Sequence, residues 1–277
     1  MEAFITNTPP ITRRDAVAGS VAVAAMTTMA KNAIAADAMT VMITGSNRGI
    51  GLEFVKQYAA KGWVVIATTR SPDKADELKK VAAANKSVVI EQLDVTSNAS
   101  VDTLAAKYKG KPIDLLINNA GITGDFRRPK QASFGTLDHA VRDDFMHTNA
   151  LGPLKVTEAF YENVKLGKGK KITAVTSLAG SFGAKFGGGI PGNYWYKISK
   201  ATLNAAMVNV SIDAKKDGVI VTLLSPGIVQ VEKIGNARRP GQIEPFESIS
   251  GMIKVIDALT MDDAGVIIRY NGERQPV

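Results

Sequence analysis

Residues 39–277 predict an α/β fold: a doubly wound parallel sheet of about seven strands with helices on both faces, in a single domain. Three observations carry this. Short apolar runs with a β-branched bias alternate with segments whose apolar residues recur at helical spacing. A glycine-rich turn, Gly45-Ser-Asn-Arg-Gly-Ile-Gly51, joins the first apolar run to the first helical pattern. Polar or glycine residues stand at six expected strand ends: Gly45, Arg70, Asp94, Asn119, Ser177 and Pro226-Gly227. Open parallel sheets bind ligands beyond the carboxyl ends of their strands, so these positions would share one rim.

Taken in order, residues 1–38 read as a leader rather than as part of the domain. Thr12-Arg13-Arg14-Asp15 precedes Ala16 to Ala30, fifteen uncharged, alanine-rich residues closed by Lys31. A membrane span needs about 20 mostly apolar residues, and this run is shorter and only mildly apolar. A basic n-region, an h-region and the small-residue sites Ala33-Ile-Ala35 or Ala36-Asp-Ala38 fit an export signal better. The arginine pair resembles a twin-arginine signal, departing from it at Ala18, where such signals often carry lysine. The expected location is periplasmic, with no membrane span after signal removal. An incidental Arg-Arg pair would leave the protein cytoplasmic.

The domain then opens on Val41-Met-Ile43, a buried strand. After the glycine turn, Ile50, Phe54 and Tyr58 mark one helix face, widened by Val55 and Ala59. Glycine allows a tight turn and lets a pyrophosphate approach main-chain N–H groups at a helix start. The spacing Gly-x-x-x-Gly-x-Gly differs from the commoner Gly-x-Gly-x-x-Gly, and glycines serving only the turn would look the same. Trp63 to Thr68 is the second strand, and Ser71-Pro72 opens a helix through Val81. Val88 to Leu93 is the third strand, before Asp94-Val95. Val101, Leu104, Ala105 and Tyr108 mark the next helix. Leu115 to Asn118 is the fourth strand, and one long helix is expected between about Asp138 and Lys165. Lys171 to Thr176, Tyr196 to Lys216 and Val219 to Leu224 read as strand, helix, strand. Ser248 to Leu259 is a helix and Val266 to Tyr270 a last strand. Alternation at this pitch makes the sheet Rossmann-like, without internal repeats or an interdomain linker.

Composition narrows the partners. An apolar content of 45% suits one α/β domain with a sizeable core. The formal charge is +8, and +7 beyond residue 35, because Arg13, Arg14 and Lys31 there face only Glu2 and Asp15. The cations fall in scattered pairs (Lys79-Lys80, Lys170-Lys171, Lys215-Lys216, Arg238-Arg239) without interleaved aromatics, which argues for solvated faces and against nucleic acid. There is no cysteine, which excludes disulfides and thiolate metal sites; His139 and His147 are too few for a metal cluster.

Tyr196-Lys-Ile-Ser-Lys200 places a phenol and an ammonium four residues apart, on one helix face. A phenol titrates near 10 and exchanges protons poorly at neutral pH, but a nearby cation can lower that value by roughly 1–3 units. Ser177, at the end of the fifth strand, can bring a hydroxyl to the same rim. Asn149 sits mid-helix, where asparagine is a mediocre helix former and invites a functional explanation.

Thr44-Gly-Ser-Asn-Arg-Gly-Ile-Gly51, Asp94-Val95, Asn118-Asn-Ala-Gly121, Asn149-x-x-Gly152, Ser177, Tyr196-x-x-x-Lys200 and Ser225-Pro-Gly227, in this order, resemble the short-chain dehydrogenase/reductase family over essentially all of residues 39–277. Tyr194 to Asn204 and the ending Ile268-Arg-Tyr-Asn-Gly272 look like the C-factor-like branch, which includes sniffer-type carbonyl reductases. The resemblance implies an enzyme that reduces a carbonyl to an alcohol, or the reverse, with NADP(H). Tyr196 would be the general acid, Lys200 would lower its pKa and hold the nicotinamide ribose, Ser177 would orient the substrate oxygen, and Asn149 would hold a water linking Lys200 to solvent. Gly45, Ser46, Asn47, Arg48, Gly49, Ile50 and Gly51 would hold the cofactor's phosphates. Asp94 and Val95 would meet adenine, and Asn119, Ala120 and Gly121 would line the cleft. Pro226 and Gly227, with Val229 beside them, would pass the nicotinamide face. A cofactor-binding sensor with little turnover is the competing reading, and assembly into a homo-oligomer is compatible with either.

NADP(H) is expected over NAD(H). NAD sites place an acid about 20 residues after the glycines, yet Ala67-Thr-Thr69 carries none, Arg70 follows, and Arg48 lies within the turn. A guanidinium fork suits a phosphate. Asp73, the nearest carboxylate, follows Pro72 and suits a first helical turn. Three departures from the family pattern stand out. Val231 replaces the usual threonine. Ser177 and Tyr196 are 19 positions apart, spanning a stretch from Gly180 to Gly192 with six glycines plus Phe182 and Phe186, expected as a flap. The chain ends in Val277 rather than an aromatic.

Overall fold

The structure, a computed structural model, describes residues 38–123, 133–183, 192–230 and 241–276. The leader up to residue 37, Val231, Arg238-Arg239, Val277 and most of the expected flap lie outside the described residues. The domain is a compact unit of its own, Met39–Val277.

Its first strand, β1 (Thr40–Ile43), is an inner one that pairs in parallel with β2 (Val64–Thr69) on one side and β4 (Leu115–Asn118) on the other. β3 (Val88–Gln92) extends the β2 side; β5 (Lys171–Val175), β6 (Ile220–Ser225) and β9 (Ile267–Arg269) extend the β4 side. The eighth strand, β10 (Arg274–Gln275), pairs antiparallel with β9 and closes that edge. The sheet therefore has one strand more than the sequence suggests. Two residues, one charged and one polar, give no periodicity to read. A second small sheet joins β7 (Ile228–Val229) to β8 (Gln242–Ile243).

Alternation along the strands feeds two cores. Met42 and Leu116 point to one layer, with Val101, Leu104, Phe160, Leu203 and Met207. These come from helices α3 (Asn98–Tyr108), α5 (Gly152–Leu166) and α6 (Tyr194–Ala214). Val41, Ile43 and Leu115 point to the other layer, with Phe54, Val55, Tyr58, Leu78 and Met252. These come from α1 (Gly49–Ala60), α2 (Asp76–Ala84) and α7 (Pro245–Ala258). A fully buried side chain of this size contributes about 1.5–3 kcal/mol, so both helical layers are held by the pattern the sequence displays.

The helices depart from expectation in two places. Pro72–Lys74 is a separate 3-10 turn before α2. The long helix expected over Asp138 to Lys165 is composite: a 3-10 turn His139–Val141, α4 (Arg142–Met146), a π turn His147–Leu151, then α5. The π turn has a local cause. Pro153 has no N–H to offer the carbonyl four residues back, that of Asn149, and its ring crowds that carbonyl.

Candidate active site

The glycine turn is built around Thr44. Its hydroxyl oxygen accepts hydrogen bonds from the backbone N–H groups of Asn119 and Ala120, both at 3.0 Å. The Asn119 amide donates back to the carbonyls of Thr44 (2.9 Å) and Gly45 (3.1 Å). This lock ties the end of β1 to the end of β4. Gly45 lies at φ +67° with Ala120 against it, so a side chain there would be both strained and obstructed. A Cβ on Gly51 would collide with the Gly45 carbonyl and the Asn119 amide; this glycine serves close packing. Ser46 is buried, donating its hydroxyl to Ile43 (2.8 Å) and its N–H to Thr68 (2.8 Å), so both its hydrogens hold the turn.

Helix α1 begins at Gly49 with no side-chain cap and no acid in its first turn. Its first N–H groups thus have no capping side chain and no acid of the helix's own first turn to meet them, which fits a pyrophosphate. Arg48, at the N-cap position, is exposed. Arg70, just past β2, lines a cavity of about 330 Å³ with Thr96, Ile122, Asp144, His147 and Thr148. Asp94 shapes the adjoining wall: one carboxylate oxygen accepts from the Thr96 N–H (3.0 Å) and hydroxyl (2.7 Å). Val95 is buried, and its carbonyl lies where a Cβ on Gly152 would have to go.

At the other end of the cleft the four residues expected to do chemistry converge. Asn149, fully buried in the π turn, donates to the carbonyl of Ile122 (2.9 Å) and accepts from its N–H (2.8 Å). It also donates to the Ser199 hydroxyl (2.9 Å), which in turn donates to the Tyr196 carbonyl (2.9 Å). Gly121 sits between: a Cβ there would lie 3.1 Å from the Asn149 oxygen and 3.8 Å from Lys200 Nζ. Lys200 is buried and donates to the Val175 carbonyl at 2.8 Å. Ser177 lies two residues past β5, and its hydroxyl oxygen accepts from the Ala179 N–H (3.1 Å), capping a 3-10 turn. The Ser177 side chain also lies against the half-buried phenol of Tyr196 and favours its ionised form. Gly180 brings that turn flush onto α6, since a Cβ there would strike the Lys200 backbone.

The electrostatics differ from the sequence expectation in one respect. Burial raises the Tyr196 phenol above its ordinary value of 10.0, and the Ser177 side chain only partly opposes this. The Lys200 ammonium is turned to the Val175 carbonyl. Burial pushes Lys200 itself down to about 8. Beyond them, the Pro226 carbonyl accepts from Ser248 (2.7 Å), and Gly227, at φ +78°, lies against Tyr270 and Ile243. Val229 is held in the small sheet. Among the described residues no cluster of metal-ligating side chains occurs.

Sequence reasoning assigned no role to Ser199 or Asn204. Both are buried polar residues on α6, and a polar side chain on the inward face of a core helix is the signal that could have found them. The Thr44 hydroxyl lay inside a motif but was not singled out.

The order of strands and the glycine turn define a Rossmann-like α/β sheet, with Ser177, Tyr196 and Lys200 gathered beyond the end of β5. Residues 39–241 match the family model for short chain dehydrogenases, and the chain belongs to that family. A Schizosaccharomyces pombe protein described as an uncharacterized oxidoreductase is 35% identical over 260 residues, covering 87% of this chain and 99% of the relative. The C-signal of Myxococcus xanthus is 37% identical over 166 residues, 60% of this chain and 93% of that protein. The crystal structure of an NADPH-bound carbonyl reductase from chicken fatty liver superposes with a TM-score of 0.78 at 30% identity, covering 87% of this chain and 99% of that one.

Proposed function

We propose that the protein interconverts a small-molecule carbonyl and its alcohol with NADP(H). The observation that carries this is the contact of Ser177 with Tyr196 beside the buried Lys200 and Asn149. A protein that only binds a nucleotide has no chemical use for this proton path. NADP(H), when bound, supplies or accepts the hydride. The glycine turn and the start of α1 would hold its phosphates, and Arg48 and Arg70 the phosphate on the adenosine ribose. Ser177 donates a hydrogen bond to the substrate oxygen and sets its direction. Tyr196 gives that oxygen a proton in reduction and withdraws it in oxidation. Lys200 would hold the nicotinamide ribose and stabilise the phenolate, and Asn149 would keep the groups around it in place. The carbonyl reductase among its structural relatives supports the same chemistry.

The test is NADPH consumption with quinones, diketones and aldehydes. Tyr196→Phe removes the proton donor, and general acid–base help is worth about 10²–10⁴-fold. A mutant with near wild-type kcat sinks the assignment. The C-signal likeness motivates a second reading, a cofactor-binding signalling protein; tight NADPH binding without turnover of any substrate in the panel would favour it. The leader is proposed to direct twin-arginine export on the strength of Arg13-Arg14 and the uncharged run after it.

A further inference from the structure

The turn after Ser177 is held from two sides by residues outside the proton path. On the helix side, Asn204 is fully buried one turn beyond Lys200; it accepts from the Thr176 hydroxyl and donates to the Gly180 carbonyl at 3.1 Å. On the other side is the end of the chain. Ser181, with no exposed surface, donates its hydroxyl to the Pro276 carbonyl at 2.6 Å. Gly183 lies under the Pro276 ring so closely that a Cβ would collide with its Cβ and Cγ. Pro276 is in turn fixed by the sheet: Arg274 and Gln275 pair with Ile268 and Ile267, and Arg274 forms an ion pair with Asp263. Asp263 is anchored by the N–H (2.8 Å) and hydroxyl (3.0 Å) of Thr260.

We infer that the C-terminal tail is a positioning element for the substrate side of the site: Pro276, through Ser181 and Gly183, seats the turn Leu178–Gly183 and so aims the Ser177 hydroxyl at the substrate oxygen. The inference rests on the proposed role of Ser177. The link is the Ala179 N–H, which holds the Ser177 oxygen and moves with the turn. The residues expected around the cofactor phosphates stand at the ends of β1 and β2, away from this contact.

Gly183→Ala, Pro276→Gly and their combination test it. Gly183 lies outside the left-handed region, so alanine meets only the proline ring. Gly183→Ala should raise KM for the carbonyl substrate about tenfold, less than the cost of an about 1 Å misplacement of a reacting group. NADPH affinity should stay within about twofold. Hydrogen–deuterium exchange over residues 178–183 should speed up. Adding Pro276→Gly opens the space the new methyl needs and should return both readouts toward wild type. A Gly183→Ala protein with native KM overturns the inference, whether or not exchange changes. So does a defect that persists undiminished in the double variant. If wild type turns over no carbonyl, the activity reading falls by itself. Exchange, which needs no turnover, then decides the tail: equal exchange in all four proteins removes its role, and faster exchange reversed in the double variant retains it.

Discussion

Lys200 carries a charge where charge is costly, and that cost can be read as a pH dependence of stability. Below about pH 8 the folded and unfolded chains both hold its proton, so the cost is complete and constant. Between about 8 and 10.5 the unfolded chain holds more proton than the folded one, so stability must rise with pH, and above 10.5 the effect is complete. The interval corresponds to about 3 kcal/mol. Urea unfolding of wild type should therefore gain about 2–3 kcal/mol between pH 7 and pH 10 relative to Lys200→Met. Parallel curves would mean that the ammonium is solvated. At the opposite end of the cleft, Arg48 and Arg70 are expected to read the ribose phosphate. A bidentate charge-assisted contact is worth about 1.5–3 kcal/mol, so Arg48→Ala/Arg70→Ala should lose at least tenfold of its kcat/KM preference for NADPH over NADH. Equal efficiencies in wild type, or an unchanged preference in the variant, would show that other groups discriminate.

At the scale of elements, the lock between the glycine turn and β4 makes Gly51 a packing residue. Gly51→Ala would push the Gly45 carbonyl against Asn119, and overpacking of this kind costs about 1–3 kcal/mol. A fall in Tm of several degrees with weakened NADPH binding is expected; calorimetry and fluorescence titration check it. The seven longer strands and the main helices were legible because apolar spacing repeats over many residues. Ser177, Tyr196 and Lys200 were legible because strand ends and the i, i+4 spacing of one helix place them without tertiary knowledge. What was not legible depends on contacts between distant segments. The π turn follows from one proline, and β10 is placed by Asp263 and by β9 rather than by its own two residues. The direction of the Lys200 side chain was hidden for the same reason: four-residue spacing puts it near Tyr196, but the Val175 carbonyl takes its ammonium.

At the scale of the whole chain, the proposed export carries its own demand. Free NADP is scarce outside the cytoplasm, and the twin-arginine route carries folded cargo, so the protein would leave already loaded. Replacing Arg13-Arg14 by Lys-Lys should hold it in the cytoplasm, as fractionation would show; wild type found there with an intact N-terminus rules the route out.

The sheet order also fixes a sequence of events during synthesis. β1 is an inner strand; β2 and β3 follow it outward on one side, and β4, β5, β6, β9 and β10 follow on the other in the order in which they are encoded. As the chain leaves the ribosome, each new strand of this sheet finds its neighbour already made. Among the described strands, the flank of β1 that awaits β4 stays uncovered longest, from Ile43 until Leu115 emerges, and β4, β5 and β6 each wait in turn for the next strand. Translation and assembly thus run in one direction, and the segment following β10 delivers Pro276, whose carbonyl meets Ser181. A chain cut before Arg274 would keep the parallel strands but lose the contacts of Pro276 with the turn beside Ser177.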